Sequence, residues 1–234
     1  ELVSRYGFLA IPVVDEANVL LGVVTIDDII DVIREEAAED MLKMAGASPE
    51  LVERQGVASN VRHRFPWLLA TCAGGLIAAA GMGLYEHMLQ EEGVFFAFFL
   101  PLVLGMSGNV GTQAATVTVR ALAVGHIAHP SKGWAVVRKE FFIGCLLGIG
   151  YGILIGGFAV LFGAVWAKAA AIGLSVMAGM VVSNVIGVGI PLVMNRLNID
   201  PAVATGPVLT TSVDILGIFT YFGIIGALSA FSEG

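Results

Sequence analysis

Asp214 is the only charged side chain between Ala202 and Phe231, a stretch apolar and long enough to cross a bilayer. Placing Asp at the centre of a membrane helix costs about 2.5 to 3.5 kcal/mol, so such carboxylates face a water-filled path or a partner rather than lipid. Counting from Val203, Asp214 lies roughly 16 Å along the axis at ~1.5 Å per residue, near the middle of a ~30 Å hydrocarbon core. Val203, Pro207, Thr210, Asp214, Gly217 and Tyr221 share one helical face, with Thr211 beside it. In a second apolar stretch, Pro101 to Gln113 (PLVLGMSGNVGTQ), a proline and three glycines are expected to weaken the helix and free backbone carbonyls. There Gly105, Gly108, Asn109, Thr112 and Thr116 form a small, oxygen-bearing stripe, and Pro207 is expected to free one more carbonyl in the other stretch. Two such stripes can line a narrow path with one negative charge. Oxygen-only ligation suits a hard cation, Mg2+ or Ca2+, better than Zn2+ or Cu+. A proton relay is the competing role for Asp214. Ser183 and Asn184 can line the same path, although an interhelical hydrogen bond is the commoner use of such an Asn.

A second acidic feature lies near the start of the chain. Asp27, Asp28, Asp31, Glu35, Glu36, Glu39 and Asp40 form one acidic run at the cap of and along an amphipathic helix. Such a run is most often a solvated face, but like charges three and four residues apart repel, and a bound cation would relieve that repulsion. His63, His126 and His129 sit in polar connections and read as solvated. No nucleophile and base stand at a workable spacing and no Walker loop is present, so no enzyme is expected.

The elements that must position these residues follow from composition. Of 234 residues 57% are hydrophobic and 13% charged, and the mean hydropathy is +0.87, which describes a chain mostly in membrane. Residues 1–60 carry a net charge of −8 and residues 61–234 a net charge of +1, a short acidic segment before a membrane domain. That acidity argues against nucleic acid and for cations as partners. Cys72 and Cys145 both lie in apolar spans, so neither a disulfide framework nor a thiolate metal site is expected. No apolar leader precedes the polar start and there is no initiator Met, so a fragment of a longer protein is expected.

Five segments are long enough to span: Pro66 to Tyr85, Val94 to Val124, Phe141 to Trp166, Ala169 to Met194 and Ala202 to Phe231. With the acidic segment in the cytoplasm, Arg62, Arg64, Arg120, Lys132, Arg138, Lys139 and Arg196 lie inside and only Lys168 outside. The C-terminus is then outside, and the first outer loop, with Glu86, His87, Glu91 and Glu92, is acidic. Trp67, Trp134 and Trp166 mark span ends, and Gly144, Gly148, Gly152 and Gly156 in the third span read as a close-packing ridge. Before the membrane, Phe8 to Val14 and Leu20 to Val24 read as strands around the turn Asp15 to Asn18, and Thr25 with Asp27 and Asp28 caps a helix over Ile29 to Lys43. A more polar helical stretch then leads to Arg64. The expected fold is an all-α membrane protein of five helices per subunit preceded by a partial α/β segment: residues 1–45, a connecting plug-like helix over 46–64, and a pore domain over 65–234.

The run GNVGTQAATVTVRALA (Gly108 to Ala123), the basic entrance RHRFPWLL (Arg62 to Leu69) and the ending IDPAVATGPVLTTSVDILG (Ile199 to Gly217) together resemble the MgtE family of magnesium transporters and channels. The first forty residues resemble the end of a second CBS domain, with GVVTIDD (Gly22 to Asp28) as its strand-to-helix turn. The resemblance implies a homodimer in the cell membrane that conducts hydrated Mg2+ near its two-fold axis, between the second and fifth spans of each subunit. It implies Asp214 as the central ion site, with Thr210 one turn before it, Asp200 at the cytoplasmic mouth, and Gly105, Gly108 and Thr112 along the pore. Thr112 stands where some members carry Asn. It further implies that Asp31, Glu36, Glu39 and Asp40 lie where cytosolic Mg2+ holds the gate closed, and that Thr25 and Asp28 match a nucleotide pattern, making ATP an expected ligand of the intact protein. A proton- or sodium-coupled divalent cation exchanger and a membrane-tethered CBS-type sensor are the alternatives.

Overall fold

The computed structural model describes residues 3, 6–47, 56–86, 93–127 and 130–232. The chain begins with an antiparallel hairpin, β1 (Ala10–Val14) and β2 (Leu20–Thr25), in register Ala10 with Thr25 and Val13 with Gly22 and bulged between Val13 and Val14. Its turn follows from Asp15, whose carboxylate accepts from the amides of Ala17 at 2.9 Å and Val19 at 2.8 Å, and from Asn18 at φ 59°. No residue of the hairpin is buried, as expected of two strands that cannot build a core alone. Helix α1 (Ile26–Met44) follows directly. It ends at Gly46, whose φ of 69° needs glycine, with the Ala47 amide donating back to the Leu42 carbonyl at 2.8 Å.

Among the described residues five long helices follow, each apolar enough to cross a membrane: α2 (Val57–Gly83), α3 (Gly93–Ala123), α4 (Pro130–Leu161), α5 (Trp166–Arg196) and α6 (Pro207–Ser232). Helix α5 is central and packs on α4, α3 and α6, while α2 covers α6 from the other side. The core gathers Val103 of α3, Ile172, Val176 and Met180 of α5, and Tyr221 and Phe222 of α6. The glycine ridge of α4 meets α5 as expected: a Cβ on Gly152 would come within 2.6 Å of the Gly173 carbonyl oxygen, and one on Gly148 within 2.8 Å of that of Met177.

The helix ends differ from expectation for definable reasons. Helix α2 starts at Val57 and passes through Pro66, whose missing N–H orphans only the carbonyl of exposed Arg62. The described part of the expected connecting helix, 57–64, therefore continues unbroken into the first span; the rest of it, the outer loop over 87–92 and His129 lie outside the described residues. Helix α4 begins at Pro130 and α6 at Pro207, each proline taking the first helical position, where an N–H would be unpaired anyway. The segment before α6 is a short 3₁₀ turn, Pro201–Thr205, rather than the start of the span. Pro207 therefore frees no carbonyl inside a helix. Nor does α3 unwind: it runs continuously past Pro101 and its glycines, of which Gly111 packs against Ser183 of α5 and Val213 of α6.

Candidate cation path

Helices α3 and α6 run antiparallel in contact. Leu104 lies 2.9 Å from where a Gly217 Cβ would sit, and a Gly111 Cβ would come within 3.2 Å of both the Val213 side chain and the Ser183 carbonyl oxygen. This fixes the depth of Asp214 near Gly111 and Ser183, inside the bundle. Asp214 is half-buried, and among the described residues no hydrogen bond or ion pair reaches its carboxylate.

On α3, Val103, Ser107, Val110, Ala114 and Val119 are buried, whereas Gly105, Asn109, Thr112, Gln113 and Thr116 are exposed. A Cβ on Gly105 or Gly108 would meet nothing within 4 Å, so these two glycines border open space in the single chain and do not seat a neighbouring helix. The threonine hydroxyls donate inward along their own helices: Thr112 to the Gly108 carbonyl at 2.9 Å, Thr116 to that of Thr112 at 2.8 Å, and Thr210 to those of Gly206 and Pro207, both at 3.3 Å. With the proton so used, each oxygen keeps lone pairs for an outer partner, the polarity that a cation or its hydration water requires.

The two stripes meet at the α1 end of the bundle. A cavity of about 660 Å³ is lined by Thr112 of α3, by Thr205, Gly206, Pro207 and Thr210, by Arg64, Trp67, Leu68 and Thr71 of α2, and by Met44 to Ala47. Thr211 and Gly217 sit elsewhere. Thr211 fills the seam where α2 crosses α6, in contact with the site of a Gly74 Cβ, and Gly217 seats Leu104. Arg64 places a fixed positive charge in this mouth; the basic pair at Arg62 and Arg64 was its only sequence signal.

Beside it is a second cavity, of about 320 Å³, lined by Glu36, Glu39, Asp40, Lys43, Asn195 and Asp200 among others. Here the acidic face of α1, with Glu36, Glu39 and Asp40, meets Asp200 at the 3₁₀ turn. Asp31 does not join them: it is exposed and pairs loosely with Arg34 at 3.6 Å. Asp200 accepts from the Ala202 amide at 2.9 Å, capping the turn, and from the Lys43 ammonium at 2.6 Å. Lys43 also reaches Glu39 at 2.8 Å. Burial acts to raise Asp200, but the Lys43 hydrogen bond, the Ala202 amide and the Lys43 charge outweigh it and hold the carboxyl below its ordinary value. Asp40 is pushed up, first by burial and then by the Asp200 charge. The hydrogen bonds to Asp200 and Glu39 raise Lys43 above the usual lysine range. Among the described residues no three His, Cys, Asp or Glu side chains stand close enough to share a bare metal ion.

Thr25 and Asp28 are occupied with each other. The Asp28 carboxylate accepts from the Thr25 amide at 2.8 Å and hydroxyl at 2.7 Å, closing the start of α1, and these bonds hold it below the ordinary carboxylate value. Asn184 makes the interhelical bond, donating to the Glu140 carbonyl at 2.7 Å. Glu140 itself, 8% exposed, escaped the sequence reading because it follows Arg138 and Lys139 and resembles a solvated residue.

Residues 100–224 match the family model for MgtE, described as a divalent cation transporter, and residues 1–35 match that for the CBS domain. The chain is similar to the magnesium transporter MgtE of Bacillus subtilis, at 37% identity over 97% of this chain and 50% of the relative. The magnesium transporters MgtE of Enterococcus faecalis and Thermus thermophilus are 35% and 32% identical, over 96% and 95% of this chain and each over 49% of their own length. The chain thus spans about half the length of the curated relatives it matches.

Proposed function

We propose that this chain, which belongs to the MgtE family of divalent cation transporters, moves hydrated Mg2+ across the cell membrane along a path lined by α3 and α6 of two copies. The observations that carry this reading are the uncovered polar stripe of α3, Gly105, Asn109, Thr112 and Thr116, and the half-buried Asp214 carboxylate, at the depth of Gly111, with no partner among the described residues. At membrane depth such a stripe is tolerated only against water or protein. A second copy related by a two-fold axis supplies both, enclosing water between two stripes and two Asp214 carboxylates. Mg2+ gives up its water reluctantly, which suits threonine oxygens, glycine backbone and a single carboxylate per subunit better than a dry cage.

In the same reading residues 1–45 are the end of a CBS domain on the cytoplasmic side, residues 65–234 form the pore domain, and the C-terminus is outside. Glu36, Glu39, Asp40 and Asp200 sense cytosolic Mg2+ where α1 meets the mouth. ATP is the expected nucleotide of the intact protein near Thr25 and Asp28. The test is isotope flux of Mg2+ into liposomes holding the full chain. Asp214→Asn, folded and inserted, abolishes flux that in the parent follows the Mg2+ gradient and ignores imposed pH or Na+ gradients. Parent-like flux in the variant removes Asp214 from the path, and dependence on a proton or Na+ gradient replaces conduction with exchange.

A further inference from the structure

We propose that the face of α4 turned away from α5 is a docking site for an anionic phospholipid in the leaflet at the α1 end of the bundle. A shallow groove of about 470 Å³ there is lined by Ala135, Arg138, Lys139, Phe142, Ile143 and Leu146. Positions 135, 138, 139, 142 and 146 recur at helical spacing and form one stripe. The other side of α4 is committed to α5: Gly133 faces Leu192, and Gly144 faces Val181 and Asn184. Glu140, the acidic residue nearest in sequence, is on that committed side, with its carbonyl bound by Asn184.

Arg138 and Lys139 are exposed and form no ion pair within 4 Å of any described residue, although the Lys139 charge is felt by the neighbouring, largely buried Glu140 carboxyl. The Arg fork and the Lys ammonium together match a phosphodiester, which accepts both bidentate and point-charge contacts. Below them Phe142, Leu146 and Ile153 are exposed at 59%, 73% and 72% and continue the stripe toward the bilayer centre, a track for an acyl chain. Trp134, 71% exposed, sits one turn above, at the level where indoles settle in the headgroup region. Cations alone would bind any soluble anion. The apolar track below them selects an anion that carries a hydrocarbon chain, and the charges favour an anionic headgroup over a zwitterionic one. The inference needs α4 to span the membrane but is independent of what the path conducts.

The test is the thermal unfolding midpoint of the full chain in detergent, titrated with phosphatidylglycerol, phosphatidylcholine or soluble glycerol phosphate. Phosphatidylglycerol raises the midpoint saturably and the other two do not. Arg138→Gln with Lys139→Gln weakens that lipid about thirty-fold, and either change alone about five-fold, whereas Lys168→Gln at the opposite end leaves it unchanged. Equal stabilisation by phosphatidylcholine, an equal shift with glycerol phosphate, or full retention in the single and double variants would overturn the site.

Discussion

Lys43 is the residue whose removal should most change how the N-terminal segment sits on the membrane domain. Its ammonium is 2.6 Å from Asp200 and 2.8 Å from Glu39, with the three side chains 29%, 38% and 45% exposed. Fully exposed pairs contribute about 0.2 to 1 kcal/mol, and breaking a buried pair costs about 3 to 5 kcal/mol. A half-screened, charge-assisted bridge falls between, at about 1 to 2 kcal/mol, or roughly five- to thirty-fold in the docked population. Lys43→Gln also leaves Glu39, Asp40 and Asp200 facing one another without their cation. The remaining contacts, the Thr205 hydroxyl on the Met44 carbonyl at 3.4 Å and Gly46 against Pro207, keep the chain folded while the last turns of α1 loosen. Amide hydrogen exchange at Met41 to Ala47 and at Ala202 should accelerate by that factor in EDTA, and the swap of Lys43→Asp with Asp200→Lys should recover most of it. The pH sign follows from the shifts. Asp200, which burial acts to raise but Lys43 and the Ala202 amide bring down further, contributes above the unfolded value near ~3.9 and loses its contribution as pH falls through its native value. Lys43, raised by its hydrogen bonds, contributes below ~10.4 and loses its contribution only at higher pH. Asp40, raised by burial, takes docking stability away as pH rises from ~3.9 through its raised native value, so the clasp should be flat from above that value to about pH 9. Unchanged exchange in Lys43→Gln, no recovery in the swap, or a transition inside that window would refute the reasoning.

Glycine substitutions in α4 should split by what they face. Gly152→Ala places a Cβ 2.6 Å from the Gly173 carbonyl oxygen, so overpacking of about 1 to 3 kcal/mol exceeds the helix-propensity gain of about 1 kcal/mol and lowers the unfolding midpoint. Gly157→Ala meets nothing within 4 Å and should raise it by up to about 1 kcal/mol in the same denaturation series. Arg64→Gln removes a fixed positive charge from the mouth shared by Thr112 and Thr210, and should raise Mg2+ flux in liposomes, most at low ionic strength.

Much of the architecture was legible because it rests on local or long-period signals. The five spans carry hydropathy over many turns, and the hairpin and α1 are announced by Asp15, Asn18, Thr25 and Asp28 bonding to their own neighbourhoods. Helix ends were not, because the polar turns of α2 before Pro66 and of α4 before Phe141 continue a helix that hydropathy no longer reports. The continuity of α3 was misread because Pro101 and its glycines were weighed as local breakers, whereas packing on α5 and α6 decides. In the site, Thr112, Thr210 and Pro207 were legible as facing one space. The seam positions of Thr211 and Gly217 were not, since a helical wheel cannot tell which of two adjacent faces meets a neighbour. The Lys43 bridge to Asp200 joins residues 157 positions apart, and neither residue's local sequence marks the other.

The central claim is tested most directly by density maps of the full chain, with Mg2+ and in EDTA, at the level of Asp214. The account predicts a two-fold dimer with α3 stripes facing each other and a Mg2+-dependent peak between the two Asp214 carboxylates. Its water shell, at about 2.0 to 2.1 Å from the ion, should intervene between metal and carboxylate. No Mg2+-dependent density there, or α3 stripes turned to lipid, would contradict it.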